Sequence, residues 1–149
     1  MKNNTSTSVD LSGDPYLPSK DWEILEHRGE GIIQIERCAE HLCIDGKKVE
    51  LFLLNKQKDE IIVGSDLQEI IQDQSVLSAN VLDYLIEHQE LIPESWREVF
   101  PFFWGTIYRY PDGRSGVRCL RWRGDHWDWS RTWLGCSQLS SYPAVVLAD

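Results

Sequence analysis

The run WGTIYRYPDGRSGVRCLRWRGDHWDWSRTW occupies residues 104–133 and holds five of the chain's seven tryptophans, interleaved with arginines. Tryptophan is bulky and usually buried, whereas arginine stacks on aromatic rings and binds anions. Two turn signals, Asp112-Gly113 and Gly124-Asp125, divide the run into three strand-like segments. Residues 102–133 are therefore predicted to form a three-stranded antiparallel meander that carries the candidate site.

Two-residue loops at both turns would fix the register of this meander. In the second hairpin, the predicted opposite pairs are Trp122 with Trp127, Leu120 with Trp129, and Arg118 with Arg131. In the first hairpin, they are Phe103 with Trp122, Gly105 with Leu120, and Ile107 with Arg118. A shift of one residue would exchange the two faces of a strand.

This register gives one aromatic face with a basic end. The aromatic face comprises Phe103, Leu120, Trp122, Trp127 and Trp129, and Gly105 leaves room between the rings. The basic end comprises Arg118 and Arg131, with Arg109 as a third candidate. On the opposite face, Trp104 lies beside Arg121 and Arg121 beside Asp128, which predicts a cation–π contact joined to an ion pair.

The aromatic face has two interpretations. It is either core, covered by a helix over residues 81–91 while acidic side chains from the first half neutralise the arginines. Or it is an open surface, on which rings stack against a planar or sugar-like group while Arg118 and Arg131 bind its negative charge. Arg118 opposite Arg131 is the unexplained feature, because like charges destabilise a sheet unless a carboxylate or anion lies between them.

The rest of the chain reads as strands followed by helices. Residues 1–20 are polar and are predicted to form a flexible tail, and residues 21–149 a single globular domain. Residues 22–27 and 32–37 look like one tight hairpin, and Asp45-Gly46 predicts a second between residues 42–44 and 49–54.

Two helices are predicted in the middle of the chain. Residues 61–63 form a short strand or lead-in, after which Ser65 caps a helix over residues 66–72 with Gln68 completing a capping box. Ser78 or Asn80 caps a longer helix that runs to about Glu90. Residues 142–148 are predicted to be a last short strand or a packed extension. The expected fold is α+β, with N-terminal antiparallel β hairpins, a central helical pair and the C-terminal three-stranded antiparallel Trp/Arg-rich meander.

Charge is distributed unevenly along the chain. The net charge is −9, with −11 in residues 1–96 and +3 in residues 97–136. An acidic total argues against duplex nucleic acid as a partner, since such binding needs positive charge to replace counterions. The N-terminus carries no apolar stretch typical of a signal peptide or membrane anchor, so we expect a cytoplasmic protein with reduced cysteines and no membrane partner.

Other chemistry is weakly indicated. Cys38, His41 and Cys43, with the distant Cys119 and Cys136, match no standard zinc spacing, and we expect no metal or cofactor. His126 with Asp125 and Asp128 suggests acid–base work, but no nucleophile accompanies it, and no catalytic residue is predicted. The acidic side chains of the helices are typical of a solvated face, with mimicry of a phosphate array as the alternative.

Four segments resemble a group of short bacterial proteins. They are SANVLDYLIEHQELIPESW (residues 78–96), FFWGTIYR (102–109), VRCLRW (117–122) and YPAVVLA (142–148). The resemblance covers roughly Leu51 to the C-terminus. No activity is attached to that group, so it implies a recurrent bacterial domain and nothing about function.

These observations favour a non-catalytic protein-interaction or regulatory module that uses the aromatic and arginine-rich β surface. Its candidate binding residues are Arg118, Arg131, Arg109, Trp122, Trp127 and Trp129. Another protein is the expected partner, with a small anionic or aromatic ligand as the alternative. The alternative function is a small-ligand-binding or hydrolytic protein with its site on the same sheet.

Overall fold

Antiparallel strands in two main sheets, with two short helices, make up most of the structure. The computed structural model describes residues 8–53, 57, 62–138 and 141–148. Its strands are β1 (Ser8–Asp10), β2 (Glu23–His27), β3 (Ile32–Cys38), β4 (His41–Ile44), β5 (Lys47–Phe52), β6 (Ile62–Val63), β7 (Thr106–Arg109), β8 (Ser115–Trp122), β9 (Trp127–Trp133), β10 (Ser137–Gln138) and β11 (Ala144–Leu147). Its α-helices are α1 (Gly64–Ile70) and α2 (Ala79–Glu87).

The strands order as β1-β3-β4-β5-β11 and as β2-β7-β8-β9, and β10 pairs with β6. The segment around Phe102 joins the two main sheets. The backbone of Phe102 forms an isolated antiparallel β-bridge with Cys119 on one side and a parallel one with Ala144 on the other. None of the helices in the described part of the chain is long and apolar enough to cross a membrane.

The second hairpin of the predicted meander is confirmed. Trp122 pairs with Trp127, and the register continues along the hairpin with Leu120 opposite Trp129 and Arg118 opposite Arg131. The tight turn depends on Gly124, whose φ of +100° is a conformation that other residues rarely adopt.

The predicted register of the first hairpin is wrong by one residue. The structure pairs Tyr108 with Gly116 and Arg109 with Ser115. The Tyr110 N–H donates to the Arg114 carbonyl at 2.7 Å, and Gly113 has a φ of +90°. The loop therefore has three residues rather than two, with glycine in the left-handed position.

The shifted register rearranges β7. The pairs Phe103–Trp122, Gly105–Leu120 and Ile107–Arg118 do not form. Phe102 instead bridges Cys119, and a turn at Trp104-Gly105 separates that bridge from β7. Phe103 still reaches the aromatic face, because it packs with Leu120 and Trp127 in one cluster.

The first N-terminal hairpin prediction is also wrong. β2 and β3 lie in different sheets: β2 pairs with β7, whereas β3 lies between β1 and β4. β1 falls within the segment predicted as a flexible tail, and residues 1–7 lie outside the described part. The β4–β5 hairpin is confirmed, with Ile44 opposite Lys47 and positive φ angles at Asp45 and Gly46.

The helices start close to the predicted positions but are capped differently. α1 follows Val63 directly, so Ser65 lies inside the helix and forms no cap. α2 starts after Ser78, as predicted, but the Ala79 N–H donates to Oγ1 of Thr106 at 2.9 Å. The α-helix ends at Glu87, and a separate 3₁₀ turn covers Gln89–Leu91. The predicted last strand is confirmed in β11.

The core is divided between the two sides of the β7-β8-β9 sheet. On one side, Val81, Leu82 and Leu85 of α2 pack with Leu120 and Trp127. The other side of the sheet packs against α1 and β11, where the buried residues include Leu67, Trp104, Ile107, Val117, Cys119 and Val146. Both faces of the meander are thus largely covered.

Gly116 allows an aromatic side chain to cross the sheet. A Cβ at this position would overlap the backbone oxygen of Thr132 and the hydroxyl of Tyr110. The Tyr110 hydroxyl donates to that same Thr132 oxygen at 2.8 Å. Glycine is therefore required for Tyr110 to lie across β8.

We expect Gly116→Ala to lower the free energy of unfolding by about 2–3 kcal/mol, since the added methyl must displace packed atoms. Urea unfolding followed by tryptophan fluorescence measures this. Gly135→Ala is the matched control, because a Cβ there meets nothing within 4 Å, and it should stay within about 0.5 kcal/mol of the wild type. Equal midpoints for the two variants would refute the close approach of Tyr110.

Candidate functional site

The Arg118 side chain is buried beneath α2, with 1% of its surface exposed. Its Nη1 lies 3.0 Å from Oδ1 of Asp83 and donates to the Tyr108 hydroxyl at 3.2 Å. Alternation along β8 directs Arg118 to the face that α2 covers. A buried guanidinium requires a partner of opposite charge, and Asp83 supplies it.

Aromatic rings surround the Arg118 guanidinium. Its central carbon lies 4.3 Å from the ring centroid of Trp129, 5.7 Å from that of Tyr16 and 5.8 Å from that of Tyr108. These distances are within the range of cation–π attraction. The Nε atom of Arg118 is buried and has no hydrogen-bond partner among the described residues.

Asp83 also binds the N-terminal segment. Its Oδ2 accepts a hydrogen bond from the Tyr16 N–H at 2.8 Å. The Tyr108 hydroxyl, which accepts from Arg118, donates to the Tyr16 carbonyl at 3.4 Å. One carboxylate on α2 therefore holds both β8 and the chain around Tyr16.

These contacts account for Arg118 opposite Arg131. Arg118 turns toward Asp83, while the Arg131 guanidinium lies 5.1 Å from the ring centroid of Trp22 and 4.9 Å from that of Tyr110. The negative charge that the like-charged pair requires comes from Asp83, within the acidic residues 1–96, as the core interpretation predicted.

The tryptophans of the aromatic face are mainly core. Trp127 is 3% exposed and packs against α2, and Trp122 and Trp129 are partly buried against the same cluster. Arg97 lies over the Trp122 ring at 4.0 Å. Trp127 is thus inaccessible to a partner, and Trp129 is the more accessible of the two β9 candidates.

Arg131 differs from Arg118 because it is exposed. Among the described residues, Arg131 forms no ion pair. Trp133, two residues further along the same face, is 37% exposed, and Arg114 stacks on its ring at 3.6 Å. We refer to Trp129, Arg131 and Trp133 as the β9 edge.

Sequence reasoning missed Trp133 and Arg114 as site residues. The available signal was the alternation of β9, which places Trp133 on the same face as Arg131. Arg109 lies elsewhere: it is on the opposite face of the sheet, where its Nη1 is 3.2 Å from Oε1 of Glu23. The structure thus does not bring Arg109 together with Arg118 and Arg131.

The predicted contacts of Arg121 are half correct. Its Nη2 lies 3.7 Å from Oδ2 of Asp128, which confirms the cross-strand ion pair. Trp104 does not stack on Arg121; it is buried in the cluster that contains Ile107 and Cys119. The turn at Trp104-Gly105 moves the ring out of the position that a regular strand would give it.

A cavity of about 250 Å³ opens beside the buried arginine. It is lined by Tyr16, Asp83, Ile86, Glu87, Arg118 and Trp129. A second cavity, of about 220 Å³, lies on the other face of β8 and β9 and is lined by Phe100, Phe102, Cys119, Arg121, Ser130, Arg131, Thr132 and Tyr142.

The remaining ionisable groups form no catalytic arrangement in the described part of the chain. Nδ1 of His126 contacts Oδ1 of its neighbour Asp125 at 2.6 Å on the exposed turn. The described residues contain no group of three potential ligands from His, Cys, Asp and Glu that could hold a metal. Cys38 and Cys43 lie on adjoining strands, and Cys119 is in the core.

Burial raises several pKa values. Desolvation raises the pKa of the Cys119 thiol to about 12 and also raises the pKa of Tyr108 and Tyr110. The pKa of Cys43 is raised to about 11, first by a hydrogen bond with Cys38 and then by burial. These groups are neutral at physiological pH, and their ionisation at higher pH would destabilise the fold.

No protein-family model, curated protein or solved structure matches the chain. What the protein does is therefore inferred from its own residues.

The raised pKa of Cys119 predicts a loss of stability at alkaline pH. Above about pH 9 the thiol ionises in the unfolded chain but stays protonated in the folded one, so the unfolded state is favoured as pH rises. This group alone should lower the free energy of unfolding by up to about 1.4 kcal/mol per pH unit until the pH approaches its folded pKa.

Urea unfolding at about pH 8 and at about pH 10.5 measures this decline. Cys119→Ala should show a shallower decline than the wild type, and Cys136→Ala, which removes a half-buried thiol, is the matched control. A decline equally steep in Cys119→Ala and in the wild type would show that burial of this thiol has no such effect.

Proposed function

We propose that the protein is a non-catalytic interaction module of the bacterial cytoplasm, which binds a partner protein through the β9 edge. One observation carries the proposal. Of the two arginines that face each other across β8 and β9, Arg118 is neutralised by Asp83, whereas Arg131 is exposed and forms no ion pair among the described residues.

The surroundings of Arg131 support this role. Its guanidinium lies over Trp22 and Tyr110, which restricts the side chain before any partner binds. Trp133 adds a half-exposed ring next to it. Tryptophan, tyrosine and arginine are the residues that most often dominate binding energy at protein interfaces, and a preordered side chain loses less entropy on binding.

The alternative, a ligand-binding or hydrolytic site on the same sheet, is less well supported. In the cavity beside α2, Asp83 and Arg118 already satisfy each other's charge. None of the six lining residues is a serine, threonine, cysteine or histidine, the usual partners in nucleophilic catalysis. Arg131, which is exposed and forms no ion pair among the described residues, lies on the β9 edge instead.

Replacing one arginine on each face of the sheet by glutamine tests the proposal. We expect Arg131→Gln to weaken binding of a partner about threefold to tenfold, because the variant loses an exposed cation at the interface. Arg109→Gln removes the same charge from the opposite face and should bind as the wild type does. Co-purification from a bacterial lysate, quantified against both variants, identifies the partner, and titration of the purified partner gives the Kd.

Both variants change exposed side chains, so their free energies of unfolding should match that of the wild type within about 0.5 kcal/mol, which would exclude a folding defect. A partner that binds all three proteins equally, or that is weakened only by Arg109→Gln, would overturn the assignment of binding to the β9 edge.

A further inference from the structure

Strand β9 has an outer edge that no described strand covers. At the two ends of the β8–β9 hairpin, the Arg123 N–H donates to the His126 carbonyl and the Leu134 N–H to the Ser115 carbonyl, each at 2.9 Å. Hydrogen bonding alternates along an antiparallel pair, so the even-numbered residues of β9 face β8. The backbone groups of Trp127, Trp129, Arg131 and Trp133 consequently point outward.

Both ends of this outer edge already have hydrogen-bond partners, from side chains at the start of β9 and from the backbone at its end. Gln89 accepts from the Trp127 N–H at 2.8 Å and donates to the Trp127 carbonyl at 3.1 Å, as a paired residue of a neighbouring strand would. Asp128 accepts from the Trp129 N–H at 2.8 Å. The Trp133 carbonyl accepts from the Cys136 N–H at 3.0 Å.

Four backbone groups in a row remain outward-facing without such a bond among the described residues. They are the carbonyl of Trp129, the N–H and the carbonyl of Arg131, and the N–H of Trp133. This is the set that an added strand would bind, centred on a residue that offers both donor and acceptor.

We propose that the β9 edge binds an extended acidic segment of the partner by adding it as an antiparallel strand. This inference rests on the proposed function and specifies its binding mode. The residue paired with Arg131 would exchange two backbone hydrogen bonds with it and would project its side chain on the same face as the arginine. A carboxylate at that position complements the exposed guanidinium of Arg131, which forms no ion pair among the described residues.

A second copy of this chain fits the same edge poorly. Twofold antiparallel pairing that uses all of the open backbone groups would place Arg131 directly opposite itself, with Trp129 opposite Trp133. Like charges directly opposite destabilise a sheet. Charge therefore favours a different, acidic chain over self-association.

The probe is a capped heptapeptide of alternating valine and glutamate, titrated into the whole protein and followed by NMR. We expect the amides of Arg131 and Trp133 to exchange with solvent at least about tenfold more slowly when the peptide is saturating. The amides of Ser130 and Thr132, which already face β8, are the internal control and should change little. A peptide with lysine in place of glutamate should bind more weakly, and Arg131→Gln should reduce this difference.

Two methylated peptides separate strand addition from simple charge attraction. With glutamate opposite Arg131, the glutamate amides face β9, so N-methylation at the glutamates should weaken binding at least about tenfold. N-methylation at the valines alters amides that face away and should retain binding. An equal effect of the two methylations, or unchanged exchange at Arg131 and Trp133, would overturn strand addition.

Failure of strand addition can be distinguished from failure of the proposed function. If peptide binding depends on Arg131 but not on the position of methylation, the interaction surface is supported and strand addition is refuted. A peptide that does not bind overturns the inference. The proposed function is tested separately, by whether Arg131→Gln weakens binding of the purified partner. Dimerisation that Arg131→Gln strengthens, measured by sedimentation, would identify a second copy as the occupant and also overturn the inference.

Discussion

The carboxylate of Asp83 determines how the central parts of this structure meet. One of its oxygens lies 3.0 Å from the buried guanidinium of Arg118, and the other accepts the Tyr16 N–H. Leaving a guanidinium unpaired in a protein interior costs several kcal/mol, so β8 can bury Arg118 only where α2 presents Asp83. The pair thereby couples the position of the helix to the sheet and to the N-terminal segment.

The same pairing separates a buried, structural arginine from one that stays exposed. Arg118 and Arg131 are directly opposite each other on neighbouring strands, and without Asp83 they would repel. Because Arg118 is satisfied internally, Arg131 can extend over Trp22 and Tyr110 and stay exposed. Gln89, on the 3₁₀ turn after α2, binds the backbone of Trp127 next to the β9 edge and so limits where the proposed partner strand could pair.

Local sequence signals predicted what depends on local geometry. Gly124 indicated the position of the turn and hence the whole β8–β9 register, because the position and length of the turn determine every residue pair in a hairpin. Asp112-Gly113 misled the prediction for the first hairpin, although Pro111 before it is typical of a type I turn followed by a left-handed glycine, the three-residue loop that the structure has. The partner of β2 was beyond local reasoning, since β7 lies about 80 residues away and only tertiary packing selects it.

The candidate site was predictable in kind but not in detail. In the core interpretation of the sequence, acidic side chains from the acidic residues 1–96 neutralise the arginines of the meander, yet nothing local distinguished Asp83 from the other acidic residues of the helices. The sequence also could not show that Trp127 and Trp129 differ in exposure, because that difference depends on which part of β9 is covered by α2.

The most direct test of this account is a double-mutant cycle for the Asp83–Arg118 pair, with Asp83→Asn, Arg118→Met and the double variant compared by urea unfolding. We predict that Asp83→Asn alone lowers the free energy of unfolding by about 2–4 kcal/mol, because it leaves a buried cation without its partner. The double variant should be less destabilised than the sum of the single changes by at least about 1.5 kcal/mol. Additive effects, with a coupling energy within about 0.3 kcal/mol of zero, would contradict the central role of this ion pair.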